Sequence, residues 1–204
     1  MSQVNMWQYE EGYYAKGVKL VCGVDEAGRG PLAGPVCAAA VILPEHVEIP
    51  GLNDSKKLSD KRRRELFPVI QEKALAYSVV MVDHKTIDEI NILQATLLAM
   101  EKAIAGLQLR PEVALIDGNR TKDFGVEAEA IVHGDSLSAS IAAASVLAKV
   151  TRDDYMVEAA QLYPGYGFEI HKGYGTKAHY AALAELGVSP IHRMTFLKKL
   201  YGTE

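Results

Sequence analysis

The sequence is poor in cysteine and contains no long apolar stretch. Its two cysteines, Cys22 and Cys37, both lie in apolar, strand-like runs, which predicts two buried thiols rather than a disulfide. The longest uninterrupted apolar stretch, residues 36–43, is far too short to cross a bilayer. The first five residues lack the basic start and the apolar core of a secretion signal. We therefore expect a cytoplasmic protein without a membrane anchor.

The sequence also lacks an excess of positive charge. It contains 22 lysines and arginines against 26 aspartates and glutamates, which gives a net charge of −4. A protein that binds nucleic acid through an overall basic surface is therefore excluded, and any such surface must be a local patch. Setting aside four of the 26 acids, each at the end of an apolar run, leaves 22 charges of each sign. Two bound divalent cations would neutralise those four acids, which are Asp25, Glu26, Asp117 and Asp135.

An acidic pair at the end of an apolar run is the most informative feature present. Asp25 and Glu26 follow the run 20–24 and lead into the glycine- and proline-rich segment 28–35, which predicts a buried strand and its end. Buried acids need compensation, most often by a divalent cation, and glycines let a phosphate approach the backbone. Because neighbouring strand residues point to opposite faces, both carboxylates can share a cation only where the strand twists or ends. The alternative is a solvated strand end without a function.

Two further acids stand at the ends of apolar elements. Asp117 ends the run 113–116, and Asp135 precedes Ser136 at the start of a predicted helix. Taken alone, Asp117 is typical of a turn and Asp135 of a helix cap. The functional alternative is that all four acids meet at one edge of the sheet. No cysteine cluster or histidine pair competes with them, so the set favours phosphodiester hydrolysis with two cations.

The hydrophobic pattern predicts an α/β sandwich of five strands and several helices. Strands are expected at 20–25, 36–43, 78–83, 113–117 and 128–132, the first two as an antiparallel hairpin. Helices are expected from Ser59 to about Tyr77, from a Thr86–Glu89 capping box to Gly106, after Asp135–Ser136, from Thr176 to Leu186, and from Pro190 to Leu200. We expect residues 1–17 to form an N-terminal arm and residues 18–204 a single domain, with C-terminal helices from about 176.

The chain resembles the type 2 ribonucleases H, specifically the bacterial ribonuclease HII family, along nearly its whole length after about residue 18. The matching motifs are residues 23–35, 53–58, 115–119, 134–136, 140–145, 148–153, 171–176 and 192–193. Each motif alone is a weak signal, but their joint order and spacing are specific. The resemblance implies a ribonuclease H-like mixed five-stranded sheet flanked by helices, with a C-terminal helical region.

The resemblance also implies roles for individual residues. The catalytic metal ligands would be Asp25, Glu26, Asp117 and Asp135, which would hold two divalent cations, Mg²⁺ or Mn²⁺. The substrate-binding residues would be Gly28, Arg29, Gly30, Tyr174, Lys56 and Lys57, because carboxylates and cations alone cannot tell ribose from deoxyribose. For Tyr174 the alternative is a packing aromatic, and for the two lysines it is solvated surface. The His192–Arg193 pair is either structural or close to the substrate.

The implied activity is that of an endoribonuclease. It would hydrolyse the RNA strand of RNA–DNA hybrids and cut 5′ of ribonucleotides embedded in duplex DNA, leaving 3′-hydroxyl and 5′-phosphate ends, as in ribonucleotide excision repair. We expect a monomer whose partners are these nucleic acids, with no membrane and no protein partner. The alternatives are another metal-dependent nuclease or resolvase on the same fold and a non-catalytic hybrid-binding module. The ribose-contacting residues favour the ribonuclease over the first, and the complete set of four acids favours it over the second.

Overall fold

The computed structural model describes residues 5–202, which form a five-stranded mixed sheet with helices on both faces. The strands are β1 (Val21–Ala27), β2 (Val36–Ile42), β3 (Ala76–Val82), β4 (Val113–Asp117) and β5 (Glu127–Ile131), in the order β3-β2-β1-β4-β5. Strands β1, β4 and β5 run parallel, whereas β2 is antiparallel to β1 and to β3. The predicted mixed five-stranded sheet and its β1–β2 hairpin are therefore confirmed.

Seven α-helices are found within the described residues. They are α1 (Gln8–Tyr14), α2 (Asp60–Lys73), α3 (His84–Ala105), α4 (Ala139–Leu162), α5 (Phe168–His171), α6 (Lys177–Leu186) and α7 (Lys198–Tyr201). Short 3₁₀ turns occupy Ser55–Lys57, Gly134–Ser136 and Met194–Phe196. Ser59, Ser138 and Thr176 each cap a helix by accepting a hydrogen bond from the N–H group of Arg62, Ile141 and His179, respectively. The helix starts at Ser59 and Thr176 are as predicted, whereas the cap at Ser138 was not predicted. Within residues 5–202, none of these helices has the length and apolarity needed to span a bilayer.

The two faces of the sheet pack against different helices. Cys22 and Val24 of β1 contact the α3 side, whereas Cys37 and Ala39 of β2 contact α4 and α2 on the other side. Both cysteines are buried and free, as predicted. Helix α4 lies so close to β1 that a Cβ atom on Gly23 would fall 2.1 Å from the backbone nitrogen of Ile141. This contact brings the start of α4 to the sheet edge at which the acids lie.

The described part of the N-terminal arm packs on the domain. Tyr13 is buried beside Val21 and Val113, and the carboxylate of Glu10 accepts hydrogen bonds from the Ser138 hydroxyl at 2.6 Å and from the Ser140 N–H at 3.1 Å. Burial raises the pKa of Glu10, although these hydrogen bonds partly offset the shift. Residues 1–4 of the predicted arm lie outside the described residues.

Three predicted helix boundaries are wrong, because the residues that decide them belong to a strand, a cap or a turn that local helix propensity does not indicate. Helix α2 ends at Lys73 rather than near Tyr77, since Tyr77 belongs to β3. The predicted Thr86–Glu89 capping box is replaced by Asp83, whose carboxylate accepts from the Thr86 N–H at 2.8 Å and starts α3 at His84. A 3₁₀ turn follows His133, so α4 starts only at Ala139.

The predicted helix from Pro190 to Leu200 is also wrong. The carbonyl of Ile191 accepts from the Gly34 N–H at 2.9 Å, and the N–H of Arg193 donates to the Leu32 carbonyl at 2.8 Å. This segment therefore pairs in extended form with the loop that follows β1, and only Met194–Phe196 and α7 are helical. The pairing brings Arg193 to the glycine-rich loop.

Candidate active site

The register of two parallel strands places Asp25 beside Asp117. Val24 of β1 pairs with Ile116 of β4, so the next residue of each strand lies at the same carboxyl edge of the sheet. Alternation directs both carboxylates toward the α4 side, because Val24 and Ile116 face α3. Asp135 comes from the turn before α4, where its N–H donates to Asp117 Oδ1 at 3.4 Å. One oxygen from each of these three aspartates lies within 4.8 Å of the others.

The cluster of Asp25, Asp117 and Asp135 is electrostatically unfavourable by itself. Burial, together with the charges of Glu26 and Asp117, raises the pKa of Asp25 well above its usual range. Burial also raises the pKa of Asp135, with Asp117 and the nearby Asp54 adding to the shift. Like charges held this close in a partly dry site disfavour ionisation of Asp25 and Asp135. A divalent cation bound among their hard oxygen atoms would reverse this penalty, so the donor set fits Mg²⁺ or Mn²⁺.

Glu26 points to the opposite face of β1 and lies apart from the three-aspartate cluster. Its carboxylate accepts from Arg29 Nη1 at 3.2 Å, and it lines a cavity of about 70 Å³ that Asp117 and Thr96 also line. Burial raises the pKa of Glu26, Arg29 opposes this shift, and Asp117 adds to it. The four predicted ligands thus divide into three that converge directly and one that reaches Asp117 through a shared cavity. The ligand assignment itself stays a prediction.

Lys56 and Lys57 lie at the rim of the aspartate cluster. Asp54 caps their 3₁₀ turn by accepting from the Lys56 N–H at 2.8 Å. Lys56 Nζ lies 3.6 Å from Asp135 Oδ2, and Lys57 Nζ donates to the Ser136 hydroxyl at 2.9 Å. Burial acts against the charge of Lys56, but Asp25, Asp135 and Asp117 outweigh it and raise its pKa. Both lysine side chains are exposed, at 74% and 60%, so both can reach a ligand at the cluster.

The glycine-rich loop and Tyr174 line a groove next to the cluster. This groove, of about 190 Å³, is formed by Gly28, Arg29, Gly30 and Tyr174 together with Glu26, Ala27, Ser55, Lys56 and Lys149. A Cβ atom on Gly30 would lie 3.6 Å from the Tyr174 ring. Tyr174 is 43% exposed, so a large part of its side chain is open to a ligand. The structure thus brings the predicted loop and the predicted tyrosine together.

Two buried arginines, Arg152 and Arg193, support this groove. From the sequence alone, the role of Arg193 was left open and Arg152 was assigned none. Arg152 of α4 donates to the carbonyls of Pro35, Ala33 and Lys172 at 2.9, 3.2 and 3.1 Å. Arg193 donates to other carbonyls of the same loop. Burial lowers the pKa of both guanidinium groups, and the nearby Arg152 helps to lower that of Arg193 to about 9. Arginine side chains stay protonated in proteins, so both are charged at neutral pH. The sequence does contain a signal that Arg152 is buried: it lies four residues after Ala148 and seven after Ser145, on the same buried face of α4.

Comparison with known proteins shows the family to which the chain belongs. The family model described as Ribonuclease HII matches residues 22–199. The chain is 56% identical to the ribonuclease HII of Endomicrobium trichonymphae, covering 94% of this chain and 92% of that protein. It is also 56% identical to the ribonuclease HII of Geobacter sulfurreducens, covering 95% and 89%. The crystal structure of ribonuclease H2 from Pyrococcus horikoshii OT3 superposes with a TM-score of 0.72 at 28% identity, covering 86% of this chain and 93% of that one. The chain therefore belongs to the ribonuclease HII family, and its activity is that of a ribonuclease H.

Proposed function

We propose that this ribonuclease H cleaves the RNA strand of RNA–DNA hybrids and cuts 5′ of single ribonucleotides embedded in duplex DNA. The observation that carries the proposal is the continuity of the aspartate cluster with the glycine-loop groove. Lys56 belongs to both, because it lines the groove and its Nζ lies 3.6 Å from Asp135. A strand whose ribose occupies the groove would present its phosphate to the aspartates. Cutting at single ribonucleotides would start ribonucleotide excision repair, which is the cellular role we propose.

The acids would hold two divalent cations, Mg²⁺ or Mn²⁺. Asp25, Asp117 and Asp135 would supply the converging ligands, and Glu26 would act from the cavity it shares with Asp117. When bound, such a pair of cations supplies a water of lowered pKa and stabilises the departing 3′ oxygen. The raised pKa values of Asp25 and Asp135 support this assignment, because burial and neighbouring carboxylates raise them and a bound cation would offset both effects.

The groove residues would select the sugar and align the phosphate. The backbone of Gly28–Gly30 would hydrogen-bond the 2′-hydroxyl, which is the group that distinguishes RNA from DNA. The Tyr174 ring, beside Gly30, would pack against the ribose. Lys56 and Lys57 would bind phosphate oxygens at the rim. In a cut on the 5′ side of a lone ribonucleotide, the leaving 3′ oxygen belongs to a deoxyribose, which has no 2′-hydroxyl to attack the phosphate. Water must therefore be the nucleophile, and we expect 3′-hydroxyl and 5′-phosphate ends.

Cleavage of three matched substrates tests the proposal. One duplex carries a single embedded ribonucleotide, the second is its all-DNA counterpart, and the third is a long RNA–DNA hybrid, each with Mg²⁺, Mn²⁺ or EDTA. We expect cleavage of the first and third with either cation, none in EDTA, and the ribonucleotide at the new 5′ end. Fragments that end in a 2′,3′-cyclic phosphate would contradict the proposed nucleophile. Equal cleavage of the all-DNA duplex would favour the alternative nuclease or resolvase.

A further inference from the structure

Arg193 is a fully buried cation whose partners are backbone carbonyls. Its guanidinium donates to the carbonyls of Gly28 at 2.6 Å, Arg29 at 2.9 Å and Gly34 at 2.9 Å. Within residues 5–202, no carboxylate forms a salt bridge with it. A buried charge is costly unless its hydrogen bonds are satisfied. The buried guanidinium of Arg193 therefore fixes the orientation of three peptide groups of one loop.

Two of these peptide groups belong to the loop of the groove. In a trans peptide the carbonyl and the N–H of the next residue point in opposite directions, and all peptide bonds in the described chain are trans. Arg193 holds the Gly28 and Arg29 oxygens toward the interior, so the N–H groups of Arg29 and Gly30 point away from it. Both residues are exposed and line the groove. No described residue accepts a hydrogen bond from either N–H, which leaves two donors free for a ligand.

The guanidinium is itself held firmly in place. The backbone of Arg193 donates to the Leu32 carbonyl at 2.8 Å, and the neighbouring His192 pairs with Ala33. The ring of Phe196 lies under the guanidinium, with its centroid 5.1 Å away. These contacts tie the segment 191–196 to the loop, so the guanidinium position and the loop conformation are coupled.

We propose that Arg193 is a positioning residue that aims the N–H groups of Arg29 and Gly30 at the ribose and so sets the selectivity for a single embedded ribonucleotide. This inference rests on the proposed function, in which the loop reads the 2′-hydroxyl. The simpler alternative is an arginine that only stabilises the fold. The two differ in outcome, because a purely stabilising residue affects all substrates alike, whereas a positioning residue affects the lone ribonucleotide most. In a long hybrid, neighbouring riboses supply further contacts that compensate.

The Arg193→Lys variant separates these alternatives. A single ammonium group cannot hold three carbonyls in the geometry of the guanidinium fork. We expect single-turnover cleavage of the lone-ribonucleotide duplex to fall about 10²-fold through misalignment, with a clearly smaller loss on the long hybrid. Duplex affinity and Mn²⁺ binding should stay near parental values, because phosphate contacts and carboxylates are unchanged. Ile104→Ala is the matched control, since it removes buried packing in α3 beside Leu107 and Phe124, away from the groove. Any loss of cleavage rate in this control should be the same for the lone-ribonucleotide duplex and for the long hybrid.

Each outcome decides one of the two proposals. If the parental enzyme fails to cleave either ribose-containing substrate with Mg²⁺ or Mn²⁺, the proposed function fails. If the parent cleaves both and Arg193→Lys keeps the parental ratio of the two rates, the positioning role fails. If Arg193→Lys does not fold, Phe196→Leu takes its place, because it removes only the ring under the guanidinium. The ratio should then shift by about 3-fold, and an unchanged ratio would overturn the inference.

Discussion

The aspartate cluster and the glycine-rich loop are adjacent, yet their electrostatics are opposite. In the cluster, Asp25, Asp117 and Asp135 bring like charges within 4.8 Å, and burial and mutual repulsion raise the pKa of Asp25 and Asp135. In the loop, Arg152 and Arg193 bury two charges, each of which donates to three carbonyls. In the cluster, the exposed Lys56 is a nearby cation that opposes the acidic charge, whereas in the loop the buried charges are satisfied by backbone carbonyls.

Under the proposed function, this contrast separates cation binding and catalysis, in the cluster, from substrate recognition, in the loop. A site that must bind cations keeps its carboxylates poorly compensated, because internal ion pairs would compete with the ligand. A site that must read a sugar gains from a rigid backbone, because a loop that reorganises on binding loses selectivity. The cluster should therefore respond to substitution through cation binding, and the loop through substrate alignment.

The largest effect is expected from removing a ligand of the cluster. Asp117→Asn, and likewise Asp25→Asn, should lower the cleavage rate by at least ~10³-fold, because the cations lose a converging oxygen ligand. Single-turnover cleavage of the lone-ribonucleotide duplex measures this loss. Asp123→Asn, at an exposed acid outside the cluster, should leave the rate unchanged. Near-parental turnover of Asp117→Asn would mean that the aspartates are structural.

Removing the ring of the groove should have a smaller and more selective effect. Tyr174→Ala should slow cleavage of the lone-ribonucleotide duplex by about 10²-fold, with little loss of duplex affinity, because phosphate contacts dominate binding. A binding titration beside single-turnover cleavage separates the two quantities. The control is Tyr77→Ala, at a tyrosine of similar exposure on β3, 39% against 43%. A parental rate for Tyr174→Ala would make Tyr174 a packing residue.

Neutralising Asp25 should stabilise the cation-free fold at neutral pH. The pKa of Asp25 is raised in the folded state, so its ionisation opposes folding once the pH rises above the unfolded-state value near 4. Asp25→Asn should increase the free energy of unfolding by on the order of 1 kcal/mol at pH 7. The gain should vanish near pH 3, where the parental carboxyl is protonated in both states. Denaturant unfolding in EDTA at both pH values checks this, and a pH-independent difference would contradict the electrostatic origin.

The smallest effect is expected at the rim. Lys57 is 60% exposed and bonds Ser136, so Lys57→Ala should weaken duplex binding only a few-fold, about 3-fold at moderate salt. The slope of log affinity against log salt should fall by about one. Affinity measured over a salt series tests this, with Lys85→Ala on α3 as an exposed control. An unchanged slope would assign Lys57 to solvated surface.

Local sequence patterns predicted most of the sheet and the edge on which the site lies. The runs that end at Asp25 and Asp117 became the carboxyl ends of neighbouring parallel strands, and Gly106 and Gly187 end their helices as expected. These features depend on alternation and on caps, which adjacent residues determine. The convergence of Asp135 with the two strand-end acids was inferred from family resemblance, and the geometry agrees.

The remaining features depend on contacts between distant parts of the chain. The segment after Pro190 has a helix-start pattern, yet it pairs with residues 32–34, which precede it by about 160 positions in the chain. The support that Arg193 gives to Gly28 follows from that pairing. Glu26 faces away from its neighbour Asp25 because β1 continues to Ala27, whereas the sequence alone left open where the strand would twist. The helix or strand propensity of a segment carries no information on which distant segment of the chain it will contact.

Mn²⁺ binding to two variants tests most directly whether cations bind at the aspartate cluster and the ribose at the groove. Electron paramagnetic resonance titrations of the parent, Asp117→Asn and Tyr174→Ala count the bound cations in the absence of nucleic acid. We predict that Tyr174→Ala binds Mn²⁺ like the parent while its lone-ribonucleotide cleavage is impaired, and that Asp117→Asn loses Mn²⁺ affinity. Parental Mn²⁺ binding by Asp117→Asn, or lost binding by Tyr174→Ala, would contradict the assignment of cation binding to the cluster and of ribose recognition to the groove.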